Sequence, residues 1–282
     1  MPTPFIPPPS DSLATVDVAE GVEYGAECTV IEGVVSPADQ GGWPSRRGGD
    51  YAVHCFAFAG WRRLGGSLIS GELTLLRPVP PFDDGDNKAV SVFEQLPAFS
   101  IQRLSVLLSK DQTRAVVEKV LTIEAPDASL LSLSDRLRIP VVVSTERFGD
   151  VVLNPTIGWF EGKAKWNRKT IELQFNKGED DGIAGAIETA ETLWAEQAAW
   201  KRKVDDFAVK KLLPLKNDSW LGEDEAELTP KEFKARMKLL SISVSSNGRF
   251  EFWHDDGDLF WGHSLQISGN LKDGLLDADI PG

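Results

Sequence analysis

Five residues able to bind a metal or move a proton, His254, Asp255, Asp256, Asp258 and His263, fall within ten positions near the end of the sequence. Imidazole nitrogens and carboxylate oxygens together make a workable ligand set for a divalent metal, and a metal so held is one route to hydrolysis. Whether they can act together depends on strand register. Alternation puts Phe250, Phe252 and His254 on one face of a strand, and Leu259, Trp261, His263, Leu265 and Ile267 on one face of the next. A four-residue loop over 255–258 sets Phe252 against Trp261 and Phe250 against His263, leaving His254 opposite Leu259. At about 3.3 Å per residue the two histidines then stand on the order of 15 Å apart. One ion can take His254 with Asp256 and Asp258, but not both histidines. The plainer reading is a turn: Asp and Gly tolerate left-handed geometry and bond their own backbone, and His263 is then a core histidine. The Asp256-Gly257-Asp258 spacing does not match a calcium-binding EF-hand loop.

A second chemistry is recognition. Seven of the nine tryptophans follow residue 150, and they cannot all face one core. Trp253 has the opposite parity to Phe252, so either a helix covers it or its ring is exposed, and exposed aromatics are characteristic of interface hot spots. The acidic loop with Glu223, Asp224 and Glu225 lies beside Trp220 and is suited to steering a basic protein partner. Trp220, Glu223, Asp224, Glu225, Trp253 and Asp255 are therefore the candidate interaction residues. Nucleophilic catalysis finds little support: there is no Gly-x-Ser-x-Gly elbow, and His54 and Cys55, as neighbours in a strand, point to opposite faces. The glycine pairs at 41–42, 48–49 and 65–66 lack the spacing and the lysine of a phosphate loop, and no cofactor is expected.

The elements that must position these residues are clearest after residue 150. Segments 156–166 and 170–175 form a hairpin across Asn167-Arg168, with Phe160 opposite Phe175, Gly162 opposite Leu173 and Ala164 opposite Ile171. A long amphipathic helix over 183–213 carries Ile183, Ile187, Ala190, Trp194, Ala198, Val204, Phe207, Ala208 and Leu212 on one stripe, with Pro214 as its stop. Its charges, Glu188, Glu191 and Glu196 early and Lys210 and Lys211 late, complement the helix dipole. Thr229-Pro230-Lys231-Glu232 is a capping box opening a helix of about ten residues. A bulged turn at Ser246-Asn247-Gly248 sets Val244 opposite Phe250 and Ile242 opposite Phe252. The half reads ββααβββ, a mainly antiparallel sheet packed on a long helix.

The first half is less legible. A Pro-rich arm over residues 1–15 is expected to be loose. Strands are predicted over 28–35, 51–58, 72–77 and 99–108, a helix over 112–121, a helical turn over 128–133, and a strand or linker over 138–144. Phe148-Gly149-Asp150 marks the expected boundary. The whole is an α+β chain of two domains, 16–147 and 148–282, a division that 282 residues also suggest.

The residues Gly158-Trp159-Phe160-Glu161-Gly162, Leu193-Trp194, the run LPLKNDSWL at 213–221 and above all FEFWHDDGDLFWGHS at 250–264 resemble the bacterial domain-of-unknown-function family numbered 2262. Ser268-Gly269-Asn270-Leu271 and DADIPG at 277–282 extend the resemblance over about 148–282. The Trp61-Arg62-Arg63 segment and the layout of the first half resemble an uncharacterised domain that often precedes that family. The resemblance implies a bacterial, cytosolic protein with no established activity. Small acidic α+β domains of this look also occur among immunity proteins that neutralise secreted toxins.

Charge narrows the partner. Formal net charge is −13, with 20 acidic against 13 basic residues up to Asp150 and 23 against 17 after it. Acidic halves repel phosphate backbones, so nucleic acid is disfavoured. Arg46, Arg47, Arg62 and Arg63, and the Lys201–Lys203 run with Lys210 and Lys211, read as solvated faces. No apolar run approaches the ~20 residues of a membrane span, and the N-terminus lacks the form of a signal peptide. Two cysteines, Cys28 and Cys55, suit a reducing cytoplasm. The sequence thus leads to a non-catalytic protein-binding module of the bacterial cytosol, with an immunity or antitoxin role as its specific form. The alternative is a metal-dependent hydrolase built on His254, Asp256 and Asp258.

Overall fold

The computed structural model describes residues 10–17, 19–38, 40–44, 51–80, 96–178, 182–223 and 225–281. The chain divides into two compact units, 1–140 with 155–157, and 141–154 with 158–282. Both mix helix and strand, as the α+β reading holds.

The first unit contains β1 (Thr29–Val35), β2 (Gly41–Pro44), β3 (Ala52–Arg63), β4 (Ile69–Val79), β5 (Ile101–Leu108) and β6 (Arg114–Leu121). Strand order is β1-β5-β6-β4-β3-β2, and β1 also pairs with β3, so five strands close into a ring. Inward side chains of Ile31, Phe56, Phe58, Leu73, Leu75, Leu104, Val106 and Val117 fill its interior. Gly33 makes room for Phe58, since a Cβ there would sit 2.2 Å from the phenyl ring. A 3-10 helix, Ser10–Val16, buries Leu13 and Val16 against the outer side of Val53, Leu76, Leu107 and Val116. That helix corrects the expectation of a loose arm through residue 15: Leu13 is an apolar anchor that the Pro-rich composition obscured. Helix α1 (Ala128–Leu137) covers Val34 with Leu130 and Leu133, and it runs beyond the predicted turn at 128–133.

The helix predicted over 112–121 is strand β6. Ala115, Val116, Val117, Val120 and Leu121 mimic three- and four-residue spacing, but Ala115 and Val117 alternate into the ring, and β-branched valines favour the extended chain. Arginines neutralise this unit's buried carboxylates. Glu32 receives two hydrogen bonds from each of Arg62 and Arg103, at 2.6–2.9 Å. Burial pushes its carboxyl up, yet the two guanidiniums outweigh burial and leave it below its ordinary value. Arg62 also pairs with Asp127, so it is not a free solvated cation. Arg46 and Arg47 lie outside the described residues.

The second unit is an eight-stranded sheet of β7 (Val142–Thr145), β8 (Gly149–Asn154), β9 (Trp159–Trp166), β10 (Lys169–Phe175), β11 (Lys238–Val244), β12 (Arg249–Asp255), β13 (Ser264–Asn270) and β14 (Gly274–Asp279). Every strand pairs with its neighbour in sequence; all pairings are antiparallel except β10–β11. The β10–β11 crossover carries α2 (Ala184–Ala195), α3 (Gln197–Ser219) and α4 (Pro230–Arg236). The observed order is therefore ββββαααββββ, longer at both ends than ββααβββ. The expected boundary at 148–150 lies in the β7–β8 hairpin, seven residues into this unit.

The β9–β10 register is the predicted one, and Asn167 and Arg168 take φ of 46° and 71°, the left-handed pair of a two-residue turn. The β11–β12 register also matches, with Gly248 at φ 80°. The long helix does not run unbroken: it is interrupted at Glu196 (φ −124°, ψ 35°), and Pro214 sits inside α3, which continues to Ser219. Past the proline, reciprocal bonds between Asn217 and Leu228 hold the last turn. The capping box at Thr229 and Glu232 is formed, but α4 has seven residues.

One sheet face packs under the helices. Leu173, Phe175, Ile242, Val244, Phe250, Phe252, Leu265 and Ile267 meet Ala186, Ala190, Trp194, Trp200, Val204 and Leu212. Edge-on ring contacts run Phe148–Trp194–Trp166–Phe252–Phe250–Trp200, with centroids 4.7–5.7 Å apart. The opposite face carries Glu172, Gln174, Ser243, Glu251 and Gln266, so a layer on one side satisfies the sheet.

Candidate functional site

The loop predicted at four residues spans 256–263, and β13 starts only at Ser264. Phe252 therefore pairs with Ile267 and His254 with Leu265, not with Trp261 and Leu259. The reason is Asp256. Its carboxylate, 4% exposed, accepts the backbone N–H of Asp258 (3.2 Å), Phe260 (2.6 Å) and Gly262 (3.2 Å), organising the segment as a closed loop. Asp255 accepts from the Gly257 N–H at 3.0 Å. Gly257, at φ 56°, rests on the Arg236 carbonyl, where a Cβ would approach to 2.6 Å.

The loop is anchored from inside and presents one ring outside. Leu259 and Phe260 are fully buried, and Phe260 meets Trp220 and Phe233 at 5.5 and 6.3 Å. The next residue, Trp261, takes φ 58° and is 68% exposed. A bulky residue with positive φ is uncommon and marks a place where the surroundings impose the geometry. Trp220 supports the exposed indole at 4.7 Å and touches the His263 ring at 5.6 Å. His263 is thus half-buried at the loop's exit and not a core strand residue.

The other candidates are dispersed. Glu223 is exposed, and Asp224 lies outside the described residues. Glu225 is turned inward: it accepts from Lys216 at 2.5 Å and from Arg236 at 2.9 Å, and the hydrogen bond from Lys216 is the main cause of a carboxyl held below its usual range. Lys216 is fully buried and also donates to the Trp220 carbonyl, so Glu225 fixes the loop and is not a free contact. Trp253 lies on the helix-free face, half-buried, its Nε1 donating to Glu251 at 3.0 Å, so it meets neither expected alternative. Asp255 is exposed at the loop's start.

The metal candidates do not converge. His254 is buried in β12 and lines a cavity with Trp166 and Phe252, whereas Asp255, Asp256, Asp258 and His263 line a different concavity. Burial holds the His254 imidazole down to about 4, with nearby Lys201 acting in the same direction and the Phe252 backbone in the opposite one. Among the described residues, no three His, Cys, Asp or Glu side chains are grouped as metal ligands. Sequence reasoning missed Trp261 because its parity suited an inward strand position; the glycine that follows it was the available signal for a turn.

An acidic α+β unit with a one-sided sheet and a pinned aromatic loop is the class these features define. Residues 145–280 match the model of a family described as an uncharacterized protein conserved in bacteria (DUF2262), so the C-terminal half carries the family resemblance seen in its motifs. None of the curated proteins and none of the solved structures compared with the chain matches it. Among the described residues, no helix is long and apolar enough to cross a membrane.

Proposed function

We propose that the C-terminal unit is a non-catalytic protein-binding module of the bacterial cytosol that engages a basic partner through the Trp261 loop. One observation carries this reading: Trp261 is held 68% exposed, at strained φ, on a loop whose carboxylate hub and buried neighbours fix it in place. Tryptophan is enriched among interface hot spots, and a ring already held in place loses little conformational freedom on contact. The exposed Asp258 in the Trp261 loop and Glu223 just after Trp220 add negative charge, in keeping with a net charge of −13 and with steering of a cationic surface. An immunity or antitoxin role is the specific form of this reading, since a cationic toxin is such a surface. Metal-dependent hydrolysis through His254, Asp256 and Asp258 is less well supported, because the Asp256 oxygens are already engaged by backbone donors.

The test is affinity capture from the native bacterium with the full chain, Trp261→Ala and Asp258→Asn as baits, asparagine keeping a residue that tolerates the φ of 64° while removing the charge. A stoichiometric basic protein held by the parent and released by both variants, whose melting is unchanged, is the expected result. Capture that Trp261→Ala leaves intact, or no stoichiometric partner at all, counts against the reading.

A further inference from the structure

Beside Phe252 and His254, towards the end of β12, the second unit holds a cavity of about 360 Å³ between the β9–β10 turn, α3, α4 and the start of β11. That size lies in the range of small-molecule sites. Part of its wall is apolar, with Trp166, Ile171, Val204 and Phe252, and His254 is the buried polar residue that lines it. Nδ1 of His254 is buried without a hydrogen-bond partner, and the ring's hydrogen bond is with the Phe252 backbone of its own strand. Polar side chains this deeply buried are ordinarily fully satisfied, so an imidazole with one nitrogen unpartnered beside an open cavity is informative.

The cavity's charge departs from that of the chain. Four lysines, Lys169, Lys201, Lys234 and Lys238, line it against one carboxylate, Asp205. Asp205 pairs with Lys201 at 2.5 Å, Asp206 pairs with Lys234, and Asp255 lies 3.7 Å from Lys238. Among the described residues Lys169 makes no ion pair. In a chain of net charge −13, a mouth whose four lysines outnumber by one the three carboxylates paired with them carries a small local excess of positive charge.

We propose that this cavity binds a small organic anion with a ring-sized apolar body, its ring against Trp166 and Phe252, its anionic group at the lysine mouth and a polar group at His254. Burial keeps the imidazole neutral near pH 7, and a neutral imidazole offers one donor and one acceptor. Lysine at the mouth supplies charge without dictating geometry, which suits a carboxylate, sulfonate or phosphate equally.

The test uses 1-anilinonaphthalene-8-sulfonate as the probe, titrated by fluorescence into the full chain. Saturable binding of one probe per chain is expected. Ala235→Phe, at an exposed lining position of α4, blocks the mouth and weakens binding at least tenfold; so does the pair Lys169→Glu and Lys238→Glu. Trp261→Ala leaves probe binding unchanged, which separates this site from the partner loop. The uncharged N-phenyl-1-naphthylamine binds at least tenfold more weakly than the sulfonate. Equal binding by both mouth variants, loss of binding in Trp261→Ala, or equal affinity for the uncharged probe overturns the proposal. Circular dichroism of each variant, unchanged, shows that the loss is local.

Discussion

His254 and Asp256 stand two positions apart and are buried alike, at 5% and 4% exposure, yet they are treated in opposite ways. The Asp256 carboxylate takes three backbone N–H groups and closes a loop around itself. The His254 ring faces a cavity with Nδ1 unsatisfied. Burial of a polar group is costly in either case, but the cost at Asp256 is offset by three backbone donors and that at His254 only in part, through the Phe252 backbone. The region around Asp256 is therefore built to hold a shape, and the region around His254 to receive something.

The sharpest way to break this comparison is Asp256→Ala. It strands the buried Phe260 N–H and releases the part-buried donors of Asp258 and Gly262, and a loss of about 3 kcal/mol is expected. Urea unfolding measures it, and a loss below about 1 kcal/mol would equate Asp256 with an ordinary turn residue.

Acid sharpens the other side. The folded pKa of His254, about 4, lies below its unfolded value near 6.5, so between these values the unfolded chain binds more protons. Its contribution is therefore complete above pH 6.5 and lost as pH falls toward 4. About 2–3 kcal/mol is expected to disappear over that window. Burial also pushes His54 in the first unit down to about 4, so the parent loses stability from both histidines. Denaturant titrations at pH 7.5 and 4.5 on the parent and on His254→Leu resolve the two, the variant losing less. An equal loss in both proteins would remove His254 from the account.

Gly257→Ala places a Cβ against the Arg236 carbonyl at positive φ, and a destabilisation of about 2 kcal/mol is expected in thermal melts. Trp261→Ala comes last: with its ring mostly outside, it should shift stability by under about 0.5 kcal/mol while abolishing partner capture.

Local chemistry decided what was legible beforehand. The β9–β10 and β11–β12 registers followed from apolar parity together with a turn of known length, and the Thr229–Glu232 box from reciprocal capping. Misreadings arose where two signals overlapped. Leu259, Phe260 and Trp261 resemble the start of a strand, yet the hydrogen bonds to Asp256 outweigh that propensity. Val116, Val117 and Val120 carry a helical spacing by coincidence, and Pro214 stops a helix only where the following turn lacks other support. The lysine-lined cavity was invisible because β10, α3, α4 and β11 each contribute one cation, and no spacing in the sequence brings them together.

The single parallel pairing, β10 against β11, divides the large sheet into two four-strand meanders. Within each meander partners are close along the chain, but across the seam Gln174 meets Ser243, 69 positions away. Loop-closure entropy falls chiefly on that one join, and the apolar face of both meanders is covered only by the helical layer that spans it. The rate of acquiring native structure in this half is accordingly set by α2 and α3 as a bridge, and core-facing changes there should slow folding more than equally destabilising changes in the outer strands.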